Sequence, residues 1–223
     1  MVESHILSRV FPISKIRLYY PDRIHLPLTL SPQQSHYLKI VMRLKKEDLF
    51  SVFNEIEGEW LITGSEKTQI KKPYRMPFLA LAFAPLAKHD RMRFMIEKAV
   101  ELGVTHFFPV KTHHTQAKFN LQKARSWAIE AAEQCERLSI PVFDSLTALQ
   151  DLFKKDIAWA IALERTPNEN ANLSSNGLLV GPEGGFSAQE MEFLKGQKCK
   201  ILNLGSYILR AETAVVCGLS RMI

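Results

Sequence analysis

Two short stretches near the C-terminus hold residue types that chemistry needs. The first is Gly181-Pro182-Glu183-Gly184-Gly185-Phe186, placed after an apolar run and before a Ser187/Glu190 pair with capping-box spacing. Its glycines let the backbone turn sharply and approach a ligand closely. Exposed N–H groups in such a turn can hold a carboxylate or a nucleobase edge. The second runs from Asn203 to Ala214. Gly205 releases the chain there, and Arg210, Glu212 and Thr213 gather at the start of a helix. Arg210 follows the apolar Tyr207-Ile208-Leu209, so its charge must meet solvent, a carboxylate or a ligand. Each stretch alone also reads as a capped turn, the second with a local Arg210–Glu212 ion pair. Together they say more. Facing one crevice, they can enclose an adenine-containing cofactor with backbone polar groups and apolar side chains.

Other chemistries lack their residues. The phosphate loop GxxxxGK[ST] and the dinucleotide GxGxxG do not occur. No Ser-His-Asp, Cys-His or GxSxG arrangement stands out, so hydrolysis has no support. Cys135, Cys199 and Cys217 form no CxxC pair, which argues against a zinc knuckle or a disulfide framework. His113-His114 has no third ligand at metal spacing, and no metal is expected. Glu97 and Glu101 share a helix face, a spacing that paired-carboxylate catalysis can use. In a charged helix it reads as a solvated face. Glu133 and Arg137 stand in the favourable i,i+4 order for a local pair. Lys88 and Arg91 flank Asp90, a candidate N-cap, and can reach phosphate. What remains is cofactor-driven chemistry or simple binding.

The elements that must position these residues read as α/β. Phe78–Ala84, His106–Val110, Ile157–Leu163, Leu178–Val180 and Cys199–Leu204 are buried-strand candidates. Between them lie helical patterns at 91–102, 121–138, 146–154, 187–195 and 211–222. Gly103 is placed to end the first of these in a left-handed turn. The alternation predicts a mainly parallel sheet with helices on both faces. Ligands in such sheets bind beyond the carboxyl ends of the strands.

The first third differs. Arg17–Tyr20, Leu49–Phe53 and Trp60–Thr63 suit short strands, punctuated by Pro21, Pro27 and Pro32. Ser31–Val41 reads as a helix capped by Ser31 with Pro32 at its first position. A small, mostly β barrel or sheet is expected. A boundary is expected in the Pro-rich, basic stretch Lys71–Pro77, giving domains over 1–72 and 73–223.

With 29 basic and 23 acidic residues among 223, the net charge is +6. Residues 1–76 carry 12 of the basic and 8 of the acidic residues. A positive surface attracts polyanions, so RNA or DNA binding is open on charge alone. Hydrophobic residues make up 46% and charged residues 23%, which argues against wholesale disorder. No apolar run nears the roughly 18 residues that span a bilayer, and no signal-peptide pattern is present. A cytoplasmic protein is expected.

The motifs resemble a known family, the bacterial 16S ribosomal RNA uridine-N3 methyltransferases (the ribosomal RNA small subunit methyltransferase E family) of the SPOUT class. Five blocks carry the resemblance. They are His36–Lys45 with Asp48; Lys88–Arg91 with Glu97–Ala99 and Glu101–Val104; Trp127 with Glu130–Gln134, Arg137 and Pro141; Gly181–Phe186; and Leu204–Ala214. The resemblance implies an N-terminal PUA-like barrel and a SPOUT domain with a trefoil knot. It implies S-adenosyl-L-methionine as cofactor, a homodimer, and 16S rRNA as substrate, in the assembled 30S subunit. The reaction it implies is methylation of N3 of one uridine, a step of ribosome biogenesis. Another RNA position, or a catalytically silent RNA-binding protein, is the alternative.

The resemblance also assigns residues. Leu163, Gly181, Glu183, Gly185, Leu204, Gly205 and Leu209 are expected at the cofactor. For the implied reaction, the chemistry of the base sets further expectations: Arg210 stabilises charge on its flanking oxygens or orients it, and Glu183 or Glu212 takes the proton or orients Arg210. Lys39, Arg43, Lys45, Lys88 and Arg91 are expected on RNA phosphates. Two stretches depart from the pattern. Thr112-His113-His114-Thr115 stands where Thr-Glu-Arg-Ser is common, and Tyr207 stands where the family loop has an arginine.

Overall fold

The computed structural model describes residues 16–45, 47–115, 117–163 and 175–223. The chain divides into two compact units, one of Met1–Arg75 with Ala132–Ile140, the other of Met76–Ala131 with Pro141–Ile223.

In the first unit, strands β1 (Arg17–Tyr19), β2 (Phe50–Asn54), β3 (Gly58–Thr63) and β4 (Glu66–Lys71) form one sheet in that order. β1 runs parallel to β2, and the other pairs are antiparallel. Leu18, Tyr20, Ile24, Leu38, Val52 and Ile62 make its core. β4 is missing from the sequence reading because Glu66-Lys67-Thr68-Gln69-Ile70-Lys71 has no apolar alternation. It is an edge strand, where charge blunts association.

Helix α1 (Pro32–His36) starts as expected. Ser31 Oγ accepts from Gln34 N, Gln34 Oε1 accepts from Ser31 N, and Pro32 sits in the first turn. It is shorter than expected as an α-helix, because Tyr37–Val41 winds as a π-turn. Met42 N donates to Tyr37 O there, and Arg43, at φ +50°, ends the winding.

The buried centre of this unit is an ion cluster. Arg17 Nε and Nη2 donate to the two carboxylate oxygens of Glu59 at 2.7 and 3.1 Å. Arg17 Nη1 donates to the carbonyls of Ala132 and Glu133 at 2.9 Å. These carbonyls end the helix Leu121–Gln134, where no intrahelical donor remains. The guanidinium also lies 4.2 Å from the Phe53 ring centroid.

The second unit contains β5 (Ala80–Phe83), α2 (His89–Glu101), β6 (His106–Lys111), α3 (Leu121–Gln134, whose end from Ala132 on belongs to the first unit), β7 (Val142–Phe143) and β8 (Thr147–Ala148). It continues with α4 (Leu149–Leu152), β9 (Trp159–Leu163), β10 (Gly177–Val180), α5 (Ala188–Lys195), β11 (Lys200–Asn203) and α6 (Ala211–Ser220). The sheet order is β11-β9-β10-β5-β6-β7, with β8 also on β6. Every pairing is parallel.

Successive strand residues point to opposite faces. On one face Ala82, Phe108, Ile161 and Leu179 pack with Leu149 and Leu152 of α4 and Leu194 of α5. On the other, α6 lies so close to Leu178 that a methyl group on Gly218 would fall 2.7 Å from Leu178 Cδ2. Helices therefore cover both faces, as the alternation predicts. No helix among the described residues is long and apolar enough to cross a membrane.

Several ends differ from the sequence reading. Lys88, not Asp90, occupies the N-cap of α2, and Asp90 lies in the first turn. Gly103 follows α2 at φ +88°, the left-handed value expected of it. α3 stops at Gln134, because Glu136 turns left-handed at φ +60° and Arg137 and Leu138 are buried. α4 is only one turn, because Thr147–Ala148 is used in pairing with β6. Glu97 and Glu101 do not meet as a catalytic pair. Glu97 accepts from Arg93 and Glu101 from Lys98, the solvated face expected of a charged helix.

Register sets the functional end of this sheet. Ile161 on β9 is in register with both Leu179 on β10 and Ile201 on β11. Two residues further on, Leu163, Gly181 and Asn203 therefore stand at one level. The carboxyl ends of these three strands lie at one edge of the sheet.

Candidate active site

A cavity of about 640 Å³ opens at that edge. Its floor is set by strand ends. Ala162 and Leu163 come from β9, Val180 and Gly181 from β10, and Leu204 follows β11. Its size lies within the roughly 300–1,000 Å³ of small-molecule sites.

The two glycine-bearing turns form its walls. All seven residues expected at a cofactor, Leu163, Gly181, Glu183, Gly185, Leu204, Gly205 and Leu209, line this one cavity. In the first turn Gly185 N donates to Pro182 O at 2.9 Å, and the Phe186 ring folds back over Gly181. A Cβ on Gly181 would lie 2.9 Å from Phe186 Cε2, so any side chain there pushes the ring out of place. In the second turn Gly205 has φ +129°, a conformation that side chains with a Cβ rarely adopt. Gly205 N donates to Asn203 Oδ1 at 2.8 Å, and this bond holds the start of the turn.

The charged candidates separate into two groups. Arg210 and Glu183 line the cavity and are exposed. Arg210 is the N-cap residue of α6 and makes no side-chain cap bond. Glu212 is different. It is buried in the first turn of α6, its Oε1 lies 3.5 Å from Arg91 Nε, and its Oε2 has no hydrogen-bond partner among the described residues. The expected local Arg210–Glu212 pair is thus replaced by a pair with Arg91 from α2.

Arg91 itself is half-buried and lines the cavity, a placement that its expectation as an RNA-phosphate contact did not include. Lys88 is exposed one turn away at the start of α2. Lys39, Arg43 and Lys45 are exposed in the first unit, around the π-turn.

Sequence reasoning also missed what holds the first turn. His114 Nδ1 lies 3.0 Å from Gly185 O. A carbonyl only accepts, so Nδ1 carries the proton. His113 N donates to Glu190 Oε1 at 2.7 Å, while Glu190 Oε2 accepts from Ser187 N at 2.8 Å. The capping box at 187–190 was legible from spacing, but the tether from Glu190 to the His113-His114 loop was not. Apolar wall residues such as Ala162, Met191 and Ala214 carried no signal beyond hydrophobicity. Among the described residues, no group of three or more His, Cys, Asp or Glu side chains is arranged to hold a metal ion.

Comparison with known proteins places this geometry. Residues 75–223 match the model of the RNA methyltransferase domain family. A ribosomal RNA small subunit methyltransferase E of Rickettsia conorii is 34% identical, over 98% of this chain and 93% of its own length. The chain belongs to the ribosomal RNA small subunit methyltransferase E family. Another member, from Synechocystis, is 32% identical over 89% of this chain and 73% of its own. Among solved structures, a Legionella pneumophila methyltransferase in complex with S-adenosylmethionine has a TM-score of 0.81 and 26% identity. That match covers 93% of this chain and 96% of the other. The Neisseria gonorrhoeae ribosomal RNA small subunit methyltransferase E shares the fold, at a TM-score of 0.77 and 22% identity over 93% and 96% of the two chains. The second unit accordingly has the SPOUT-like α/β methyltransferase fold.

Proposed function

We propose that this protein methylates N3 of a specific uridine in 16S rRNA, with S-adenosyl-L-methionine held in the cavity at the carboxyl edge of β9, β10 and β11. Methylation of ribosomal RNA from this donor is the activity of the family to which the chain belongs. One observation carries the local reading: both glycine-bearing turns line one cavity, with Arg210 on its wall. The residues present suit the cofactor. The volume suits a nucleoside with a short side chain, Leu163, Val180, Phe186 and Ala214 offer apolar walls, and the glycine turns allow close backbone approach.

Leu163, Gly181, Glu183, Gly185, Leu204, Gly205 and Leu209 are the residues we assign to holding it. When bound, S-adenosylmethionine supplies a methyl group already made electrophilic by its sulfonium. The protein's task is the nucleophile. N3 of uracil carries a proton, and its loss spreads negative charge onto O2 and O4. Arg210, exposed and on the cavity wall, is the cation placed to stabilise that charge. Glu183 lines the same cavity, which favours it as the proton acceptor. Glu212, buried against Arg91, orients that arginine instead.

The finer architecture belongs to the same proposal. The first unit is read as a PUA-like barrel that helps to hold RNA, with Lys39, Arg43, Lys45 and Lys88 on phosphates that position rather than specify the substrate. The chain segment through the cofactor turns is read as a trefoil knot, and the protein as a cytoplasmic homodimer acting on the assembled 30S subunit.

The test combines purified protein, labelled S-adenosylmethionine and purified small subunits, then maps the modified base. Label at N3 of one uridine in 16S rRNA is the expected result. Label at another RNA position or on ribose, or RNA binding with no transfer, overturns the assignment.

A further inference from the structure

Tyr207 is the most exposed large hydrophobic side chain on the cavity wall. It is 86% exposed and its neighbour Ile208 is 61% exposed. Both line the cavity. They stand between Gly205, which turns the chain at φ +129°, and Arg210, the cation assigned to the reacting base. Among the described residues the Tyr207 ring makes no ring contact, hydrogen bond or ion pair.

A tyrosine pairs a flat apolar body with a polar tip. Among the described residues, nothing uses that body here. The ligand that does use such a surface is a nucleobase. Bases splayed from an RNA strand stack on aromatic side chains, and a base presented for chemistry must leave its own stack. Charge fits the same ligand, since Arg210, three residues on and lining the same cavity, suits the electron-rich edge of a pyrimidine.

We propose that Tyr207 is a stacking platform for the substrate base at the mouth of the cavity. This rests on the function proposed above and adds a substrate-binding residue to it. At this position the family resemblance expects an arginine, which would act on RNA through charge. The ring acts through its face, so its contribution carries little salt dependence. Tyr207 therefore sets how well the base is held, and Arg210 sets how fast it reacts.

The experiment compares wild type, Tyr207→Ala and Tyr207→Phe with labelled S-adenosylmethionine and purified small subunits at two salt concentrations. Tyr207→Ala is expected to raise KM for the subunits about tenfold, the scale of losing one stacked base, with kcat and cofactor Kd little changed. Tyr207→Phe is expected to retain the low KM, and the rise in Tyr207→Ala is expected to be equal at both salt concentrations. Unchanged KM in Tyr207→Ala, an equal defect in Tyr207→Phe, or a loss of cofactor binding overturns the platform. So does a shift in oligomeric state of Tyr207→Ala by sedimentation, which would assign the ring to a second copy of the chain. A wild-type protein that labels no subunit RNA overturns both this inference and the reading beneath it. An active wild type with an unaffected Tyr207→Ala overturns this one alone.

Discussion

The two units use arginine–glutamate pairs in opposite ways. In the first, Arg17 and Glu59 meet in two hydrogen bonds, with side chains only 6% and 3% exposed. Ser51 Oγ, Lys71, two helix-end carbonyls and the Arg137 carbonyl, 3.4 Å from Arg17 Nη2, complete the cluster. In the second, Arg91 reaches Glu212 at a loose 3.5 Å, Glu212 Oε2 has no partner among the described residues, and Arg210 stands exposed on a cavity wall. A cluster whose donors and acceptors are all used internally stabilises a fold. A set that leaves Arg210 exposed on a cavity wall, with Arg91 lining the same cavity, is available to a ligand. Charge alone does not distinguish the two, and the hydrogen-bond inventory does.

The largest effect that can break this contrast lies in the closed cluster. Arg17→Met leaves Glu59 buried without its charge partner, and is expected to destabilise the protein by about 3–5 kcal/mol. Urea unfolding measures this. A loss under about 1 kcal/mol, the range of surface pairs, means that the cluster is not closed in solution. The same cluster sets an acid dependence. Burial alone raises the Glu59 carboxyl, but hydrogen bonding and charge from Arg17, with Ser51 and Lys71, outweigh it and hold the group below its ordinary value. A depressed carboxylate contributes stability that is present above its unfolded pKa, about 4.3, and is lost as pH falls through the lower folded value. The unfolding midpoint should drop across that acid window, and Glu59→Gln should flatten the drop.

Next in size is the open set. Arg210→Ala is expected to lower kcat by about 10²–10³, the range for removing one preorganised donor to developing charge, with cofactor affinity nearly unchanged. Single-turnover transfer to small subunits separates the two quantities. A matched loss of cofactor binding would make Arg210 part of the binding wall instead.

Smaller effects sharpen the role of the turns. Gly205→Ala places a Cβ on a residue at φ +129° and is expected to cost more than about 1 kcal/mol, read as weaker cofactor binding by calorimetry. Smallest is His114→Ala. It removes the ring N–H that supports Gly185 O, a bond worth about 1 kcal/mol, so cofactor Kd should rise about fivefold with the fold intact. An unchanged Kd would mean that the first turn holds its shape without the histidine.

Legibility in the sequence followed the range of the signal. The strand–helix alternation, the caps at Ser31 and Ser187 and the left-handed Gly103 were all readable, because each depends on residues a few positions apart. The two glycine turns were readable for the same reason. Their meeting in one cavity followed from the parallel-sheet rule, and the register of β9 with β10 and β11 brings it about. β4 escaped because a polar edge strand lacks a period-two apolar pattern.

By itself, then, the sequence determined which segments turn, cap and pack, and which residue types stand at the strand ends. Only the tertiary structure decided the pairings. It gave Arg17 to Glu59, 42 residues away, and Glu190 to the backbone of His113, 77 residues away. It took Glu212 from its neighbour Arg210 and set it against Arg91. The reason is physical: propensity and periodicity act through adjacent backbone, whereas a buried charge takes the partner that folding brings within a few ångströms, and chain distance has no part in that choice.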